Sequence, residues 1–279
     1  MIDRILTPQM LNGFKQYLKC EEKSGATIEK YLRDAQAFLS YINGRSVTKD
    51  ATVAYKQWLT DKGYALRSLN SMLAALNCLL DYLGWSDCRV KSLRQQRLTY
   101  CAEEKELTKE EYLRLLAAAQ ADSRLHLIIQ TICGTGIRVS ELQYFTVEAV
   151  RANEICVHCK NKTRTILVPG KLKKLLLAYA KNQGISSGTI FITKTGKPLD
   201  RSNIWAAMKR LCEKAHVKSS KVFPHNLRKL FARTFYGIEK DIAKLADILG
   251  HGSIETTRIY IMTTGIEHRR KIEKMGLII

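Results

Sequence analysis

Residues 154–169 read EICVHCKNKTRTILVP, and the period of this stretch sets the fold class. EICVHC and TRTILVP alternate with a period of two, and Asn161-Lys162 lies between them, which predicts a β-hairpin with a basic tip. The alternation puts Cys156 and His158 on one face and Cys159 on the other. On both sides the period changes to that of a helix. Upstream, LTKEEYLRLLAAA (107–119) opens with Thr108 and Glu111 in the T-x-x-E of a capping box. SRLHLIIQTICGTG (123–136) is a second, very apolar helix that stops at Gly134 and Gly136, and VSELQYF (139–145) continues as a third. VEAV (147–150) is expected to add a strand. Downstream, KLKKLLLAYAKNQ (171–183) returns to helix, TIFIT (189–193) reads as another short strand, and the chain is helical again from Ser202.

The first 85 residues read as helices only. MLNGFKQYLKCEEK follows Thr7-Pro8, with Pro placed for the first turn. TIEKYLRDAQAFLSYI carries Ile28, Tyr31, Leu32, Ala35, Phe38, Leu39 and Ile42 at helical spacing, with Thr27, Lys30, Arg33 and Asp34 on the other side, and Asn43-Gly44 stops it. A third helix runs from Lys49 to Asp61. A fourth, LRSLNSMLAALNCLLDYLG, places Leu66, Leu69, Leu73, Leu76, Leu80 and Leu83 on a buried stripe. Between Trp85 and Glu106 apolar anchors thin out, and Arg89, Lys91, Arg94 and Arg97 mark a basic linker. The expectation is a mainly α protein: a four-helix bundle over residues 1–85, a linker over 86–106, and a mostly helical domain with a small antiparallel β-sheet over 107–279.

Composition narrows the function. The 279 residues are 46% hydrophobic and 26% charged, with only 4 Pro, ordinary for a globular protein with real cores and unlike a disordered or collagen-like chain. No apolar run approaches the ~20 residues that span a bilayer, and the N-terminal MIDRILTPQMLNGFKQ lacks the apolar stretch of a secretory signal. The expected location is therefore cytoplasmic, without a membrane partner. Lys and Arg number 46 against 26 acids, a net charge of +20. Residues 1–100 hold 15 basic and 9 acidic groups and residues 101–279 hold 31 and 17. Both halves are basic, so two folded bodies are expected to face one polyanion, with nucleic acid as the leading candidate. The 8 cysteines show one C-x-x-C pair, Cys156 and Cys159, and no second pair at ligand spacing, so no metal site is expected.

Four segments place unusual polar residues among apolar ones: TGIRVSEL (135–142), CKNKTRTILVP (159–169), PHNLRKLFA (224–232) and LADILGHGSIETTRIYI (245–261). Singly, each has a structural reading: Arg138 caps a helix, His225 packs under Pro224, Tyr260 is an amphipathic core residue. Together they supply arginines, histidines, a lysine and a tyrosine, the groups that gather around a phosphodiester. Arginine offers paired planar donors to non-bridging phosphate oxygens. His225 and Arg228, three apart on a helix, project from one face.

In this order the four segments resemble the tyrosine recombinases, also called the phage integrase family. The matching features are an Arg in a TG-x-R-x-SEL context, a hairpin Lys, H-x-x-R, and LGH followed nine residues later by Tyr: here Arg138, a lysine of the hairpin, His225 with Arg228, and His251 with Tyr260. KNK offers both Lys160 and Lys162, and alignment to the family's GKGNK-x-R form favours Lys160 with Lys162 as the substitute. Lys229 stands where the family often has His, outside the residues carried over.

The resemblance implies a SAM-like core-binding bundle ahead of the catalytic domain, the two forming a C-shaped clamp on double-stranded DNA; because the first bundle begins almost at once, the extra arm-binding domain found in some members is not expected. It also implies two inverted-repeat core sites, a homotetrameric synapse, strand exchange through a Holliday junction, no cofactor, and in some members an accessory directionality factor. A nucleoid-associated location follows. A tyrosine phenol ionises near pH ~10, so Tyr260 would need activation on approach to phosphorus. Arg138 and Arg228 would clamp the non-bridging oxygens, His225 would accept the tyrosyl proton or bond the phosphate, His251 would donate to a non-bridging oxygen, and Lys160 would protonate the leaving 5′-oxygen. Glu141 would orient Arg138, or form a surface ion pair. The apolar tail of IEHRRKIEKMGLII would dock on a neighbouring protomer or close its own core. Thr27, Lys30, Arg33, Arg67, Ser68, Asn70, Arg94, Arg97, Lys162 and Arg164 are candidate DNA contacts, weighed against solvated faces. A type IB topoisomerase-like nicking-closing enzyme and a non-cleaving DNA-binding regulator are the rival readings.

Overall fold

A computed structural model of the chain describes residues 4–94, 106–159, 162–193, 195–262, 269–270 and 272–276, without the side chains of Cys159 and Lys162. The chain divides into two compact units, Met1–Arg97 and Leu98–Ile279. No helix among the described residues is long and apolar enough to cross a membrane.

In the first unit, α1 (Pro8–Cys20), α2 (Gly25–Ile42), α3 (Lys49–Asp61) and α4 (Leu66–Tyr82) enclose one core of Phe14, Leu18, Phe38, Leu59, Leu73 and Leu76. Pro8 opens α1, Ser24 caps α2 and Thr48 caps α3 through their hydroxyls, and Asn43 ends α2 in the left-handed region. Asp34 departs from its expected solvent side. It is buried, its charge is met by Lys30 Nζ, and Lys30 also donates to the Ser71 carbonyl at 3.2 Å, tying α2 to α4.

The segment after α4 is built into this unit as far as Leu93, where the sequence suggested a linker from residue 86. Cys88 and Val90 are buried in the core and Leu93 packs against it. Two asparagines one heptad apart on α4 hold the strap. Asn77 donates to the Val90 carbonyl and accepts from the Val90 N–H, both at 2.9 Å, and Asn70 does the same with Leu93. Each side-chain amide thus satisfies a backbone donor and acceptor that a sheet neighbour would otherwise take.

The second unit begins with α5 (Lys109–Ala118), whose Thr108–Glu111 capping box is complete, and α6 (Ser123–Thr135), capped by Asp122. The stretch Val139–Tyr144 is a 3₁₀ helix, and α7 (Val147–Ala152) replaces the expected VEAV strand. Thr146 accepts from the Ala149 N–H and starts that helix, so the short alternation reflects one helical turn with two core residues, Val147 and Val150. Strands β1 (Ile155–Cys159) and β2 (Lys162–Ile166) form the antiparallel hairpin, pairing Ile155 with Ile166 and Val157 with Arg164. TIFIT forms no strand of this sheet; it contributes isolated bridges from Thr189 to Thr146 and from Ile192 to Pro198. Then follow α8 (Gly170–Asn182), α9 (Arg201–Lys214), α10 (Pro224–Glu239), α11 (Ile242–Leu249) and α12 (Ile254–Ile261). A core of Ile129, Ile132, Phe145, Ile155, Leu176, Met208 and Leu227 supports one side of α10. A smaller cluster of Ala232, Leu245, Leu249 and Tyr260 seats α11 and α12 against it.

Candidate active site

Five of the six residues singled out in the sequence as catalytic converge where the ends of α6 and α11 meet α10 and α12. Helix α6 stops at Gly136, in the left-handed region at φ +65°. A Cβ there would lie 2.3 Å from Phe231 Cδ1, so both the backbone conformation and the close approach of α10 require glycine. Helix α11 stops at Gly250, φ +63°, and the His251 N–H bonds back to the Ala246 carbonyl at 2.9 Å, a Schellman-type closure that turns His251 inward.

Arginines close that helix end. The carbonyls of Ile248, Leu249 and Gly250 accept from Arg164 Nη1, Arg228 Nη2 (2.6 Å) and Arg138 Nη2 (3.4 Å) respectively. The last carbonyls of a helix have no intrahelical donor and carry the negative end of its dipole, so cations are stabilised there. Arg228 Nη1 also donates to the Gly136 carbonyl at the end of α6. Arg228 is 1% exposed, and its Nε has no hydrogen-bond partner among the described residues. Burial and the neighbouring Arg138 push its guanidinium down to about 10.

Glu141 organises the cations. It is 3% exposed and accepts from the Arg138 backbone N–H at 2.7 Å, Arg138 Nη1 at 3.0 Å and Arg164 Nη2 at 2.6 Å, with Arg228 Nη1 4.0 Å away. The sequence left open an orienting role or a surface ion pair; burial and these partners give Glu141 the orienting role. The Arg138 side chain, though held by Glu141 and the Gly250 carbonyl, is 39% exposed.

The histidines flank Tyr260. The His251 and Tyr260 ring centroids lie 4.9 Å apart, those of His225 and Tyr260 lie 5.1 Å apart, and Arg228 Cζ lies 5.9 Å from the Tyr260 ring. His251 Nε2 is 3.0 Å from Arg228 Nη2 and Nδ1 is 2.8 Å from Thr257 Oγ1. Because a guanidinium only donates, Nε2 is the acceptor and Nδ1 carries the proton. Burial, then Arg228, Arg138 and Arg164, pushes His251 down to about 4. His225 is also lowered, by burial first and then by Lys229, Arg228, Arg138 and Arg201. Both imidazoles are therefore neutral at pH 7, set among fixed cations.

Lys160 lies outside the described residues, as does Arg97. Lys162 pairs with Cys159 in the hairpin ladder. Three of the candidate DNA contacts are engaged within the fold itself, Lys30 with Asp34 and Ser71, Asn70 with Leu93, and Arg164 with Glu141 and Ile248. The Arg164 result has a readable cause. It stands opposite Val157 and two residues before Ile166, on the buried face of the hairpin. Arg33, Arg67, Ser68 and Arg94 are exposed, and the Thr27 hydroxyl is bonded to that of Ser24 at 2.8 Å. Sequence reasoning gave no role to Thr257, the second threonine of the ETTRIY stretch that carries Tyr260, and missed Arg201, which opens α9 beside His225.

The arrangement supplies a phenol, two neutral imidazoles and a set of fixed cations around one point, a constellation suited to binding and transferring a phosphoryl group. Comparison with known proteins agrees. The model of the phage integrase family matches residues 105–265, and that of the phage integrase N-terminal SAM-like domain matches residues 11–87. The chain is 29% identical to the tyrosine recombinase XerA of Pyrococcus furiosus over 100% of its own length and 98% of the relative's. It is 28% identical to the tyrosine recombinase XerC of Herpetosiphon aurantiacus over 90% of each. A crystal structure of XerA recombinase matches with a TM-score of 0.55 at 27% identity, covering 96% of this chain and 98% of that one. The fold also matches that of a lambda integrase tetramer bound to a Holliday junction, with a TM-score of 0.73 at 18% identity over 93% of this chain and 78% of that one. With a catalytic-domain model spanning more than half its residues, the chain belongs to the phage integrase family, the tyrosine recombinases.

Proposed function

We propose that this protein is a site-specific DNA recombinase that cuts and rejoins DNA through Tyr260. The Tyr260 oxygen attacks the scissile phosphorus in line, forming a 3′-phosphotyrosine bond as the bond to the 5′-oxygen breaks. The tyrosyl proton passes to His225, which is neutral at pH 7, and Lys160 delivers a proton to the departing 5′-oxygen. Arg138 and Arg228 hold the non-bridging oxygens, joined by His251 once its Nε2 bears the proton. The phosphotyrosine keeps the energy of the phosphodiester, so attack by a 5′-hydroxyl from a second duplex reseals the strand without an outside energy source. Exchange at two inverted-repeat sites passes through a Holliday junction in a tetramer. The first unit, Met1–Arg97 with its exposed Arg33, Arg67, Ser68 and Arg94, grips the flanking duplex, and the second unit carries the cleavage chemistry.

One observation carries this reading: Tyr260 lies against both histidines and Arg228, with Glu141 ordering the arginines behind them. The test traps covalent protein–DNA adducts on a nicked library of the source genome and sequences the bound fragments. Wild-type adducts that map to an imperfect inverted repeat and vanish in Tyr260→Phe are the expected result. Adducts that persist in the variant refute the nucleophile, and salt-sensitive DNA binding without any adduct refutes cleavage in favour of a regulator. Exchange between two copies of the recovered site separates recombination from nicking and closing alone.

A further inference from the structure

Thr257 has no part in the chemistry just described, yet its hydroxyl touches a group that does. It lies on α12, fully buried, one turn before Tyr260, with Oγ1 2.8 Å from His251 Nδ1. Its neighbour Thr256 is exposed. The other ring nitrogen, Nε2, faces Arg228 Nη2 at 3.0 Å, and that donor leaves the His251 proton on Nδ1, pointing at Thr257.

This tautomer is the wrong one for giving a hydrogen bond to a phosphate oxygen from Nε2. When a phosphate displaces Arg228 from Nε2, a neutral His251 must carry its proton there, and Nδ1 becomes an acceptor. A hydroxyl suits both states, since it accepts from Nδ1–H in one and donates to bare Nδ1 in the other by rotating its O–H. A carboxylate only accepts and would fix the first tautomer; a hydrocarbon would serve neither. Thr257 also shares its helix with the nucleophile, so the bond ties the seating of Tyr260 to the orientation of His251. We propose that Thr257 is a positioning residue for the strand-cleavage reaction, holding the His251 ring and serving both of its tautomers. The inference rests on the recombinase reading above for its chemical consequence, and on the two ring-nitrogen distances for its structural part.

Two measurements on the full chain test it. In 15N-histidine-labelled wild-type protein at pH 7, NMR should find Nδ1 as the protonated nitrogen of His251, its proton slow to exchange. Thr257→Ser should keep that signal, and the isosteric Thr257→Val should lose the protection. On the nicked genomic library, Thr257→Val should form adduct about 10- to 100-fold more slowly, short of the ~100- to 1,000-fold that deleting a transition-state donor costs. Thr257→Ser should recover most of the rate, and Thr256→Val should match wild type. A wild-type ring protonated at Nε2 in the free protein overturns the proposal even if the valine variant fails to fold. So does a folded Thr257→Val that keeps the wild-type rate. Absence of any wild-type adduct overturns the cleavage reading and with it the catalytic consequence, while the ring-nitrogen measurement still decides whether Thr257 holds His251.

Discussion

Replacing Glu141 by glutamine keeps the shape of the side chain and removes the charge that Arg138, Arg164 and Arg228 share. The carboxylate is 3% exposed and accepts three bonds of 2.6–3.0 Å, two of them from guanidinium groups. An amide can accept on one end only; its NH2 end must face a guanidinium donor. Removing one partner of a buried ion pair costs ~3–5 kcal/mol, and the lower figure applies here because Arg138 is 39% exposed and water takes up part of its loss. For a folding unit of this size, with ~2–4 °C of melting temperature per kcal/mol, Glu141→Gln should lower the second unit's transition by roughly 6–12 °C. Calorimetry on the full chain reads this directly. The variant should also gain more than wild type from added inorganic phosphate, because an anion binding only the folded state supplies the missing charge and stabilises by mass action. A melting temperature within about 2 °C of wild type would refute the shared role of Glu141. A large drop without extra stabilisation by phosphate would show that packing, not charge, is what the substitution disturbs.

Three further outcomes follow from the geometry. His251, held near 4, and His225, also lowered, bind protons in the unfolded chain below its ordinary 6.5 before they do so in the fold. Their contribution to stability is thus complete above pH ~6.5 and lost as pH falls towards 4, so the melting temperature should decline across that window, and less steeply in His251→Gln. Gly136→Ala should destabilise the second unit by about 2 kcal/mol or more in urea titration, since it combines left-handed backbone, at ~1–2 kcal/mol, with a methyl pressed onto Phe231. Asn77→Ala should cost about 1–3 kcal/mol by the same measure and open residues 89–94 to proteolysis, as it frees both backbone groups of Val90.

What the sequence disclosed depended on how many residues carried each pattern. The helices of the first unit, with three or more turns of apolar spacing and side-chain caps such as Ser24 and Thr48, were legible with ends within about three residues. The hairpin was legible because six residues alternate before the turn and seven after it. VEAV was not: four residues fit a strand or one helical turn equally, and the deciding feature, a Thr146 cap, precedes them. The strap at 86–93 looked like a linker because its backbone is held by Asn70 and Asn77, and a hydrogen-bonding asparagine leaves no hydrophobic trace. Polar residues turned inward were misjudged for a related reason. Asp34 and Lys30 neutralise each other, and Arg164 is charged yet follows the buried phase of its strand. The convergence of Arg138, His225, Arg228, His251 and Tyr260 was legible by motif, while Thr257, present in the same LGHGSIETTRIY stretch, showed no contact of its own until the fold brought His251 onto it.

The charge arrangement gives the site its direction. Three guanidinium groups are brought together around one carboxylate, and besides the Arg228–His251 bond their anchoring comes from backbone carbonyls: Ile248, Leu249 and Gly250 at the end of α11, and Gly136 at the end of α6. Carbonyl dipoles hold a cation in place without cancelling its charge, so positive potential survives in a partly desolvated pocket. The same potential, together with burial, keeps both histidines neutral. Neutral imidazoles add no repulsion against the arginines and retain one lone pair each, which is what a proton acceptor beside Tyr260 requires. A second buried carboxylate would have stabilised the empty pocket more and left it indifferent to phosphate. With a single one, fixed on Arg138 and Arg164, charge is left over that a phosphodiester would match in the proposed cleavage reaction, where preorganised donors gain further as negative charge builds in the transition state.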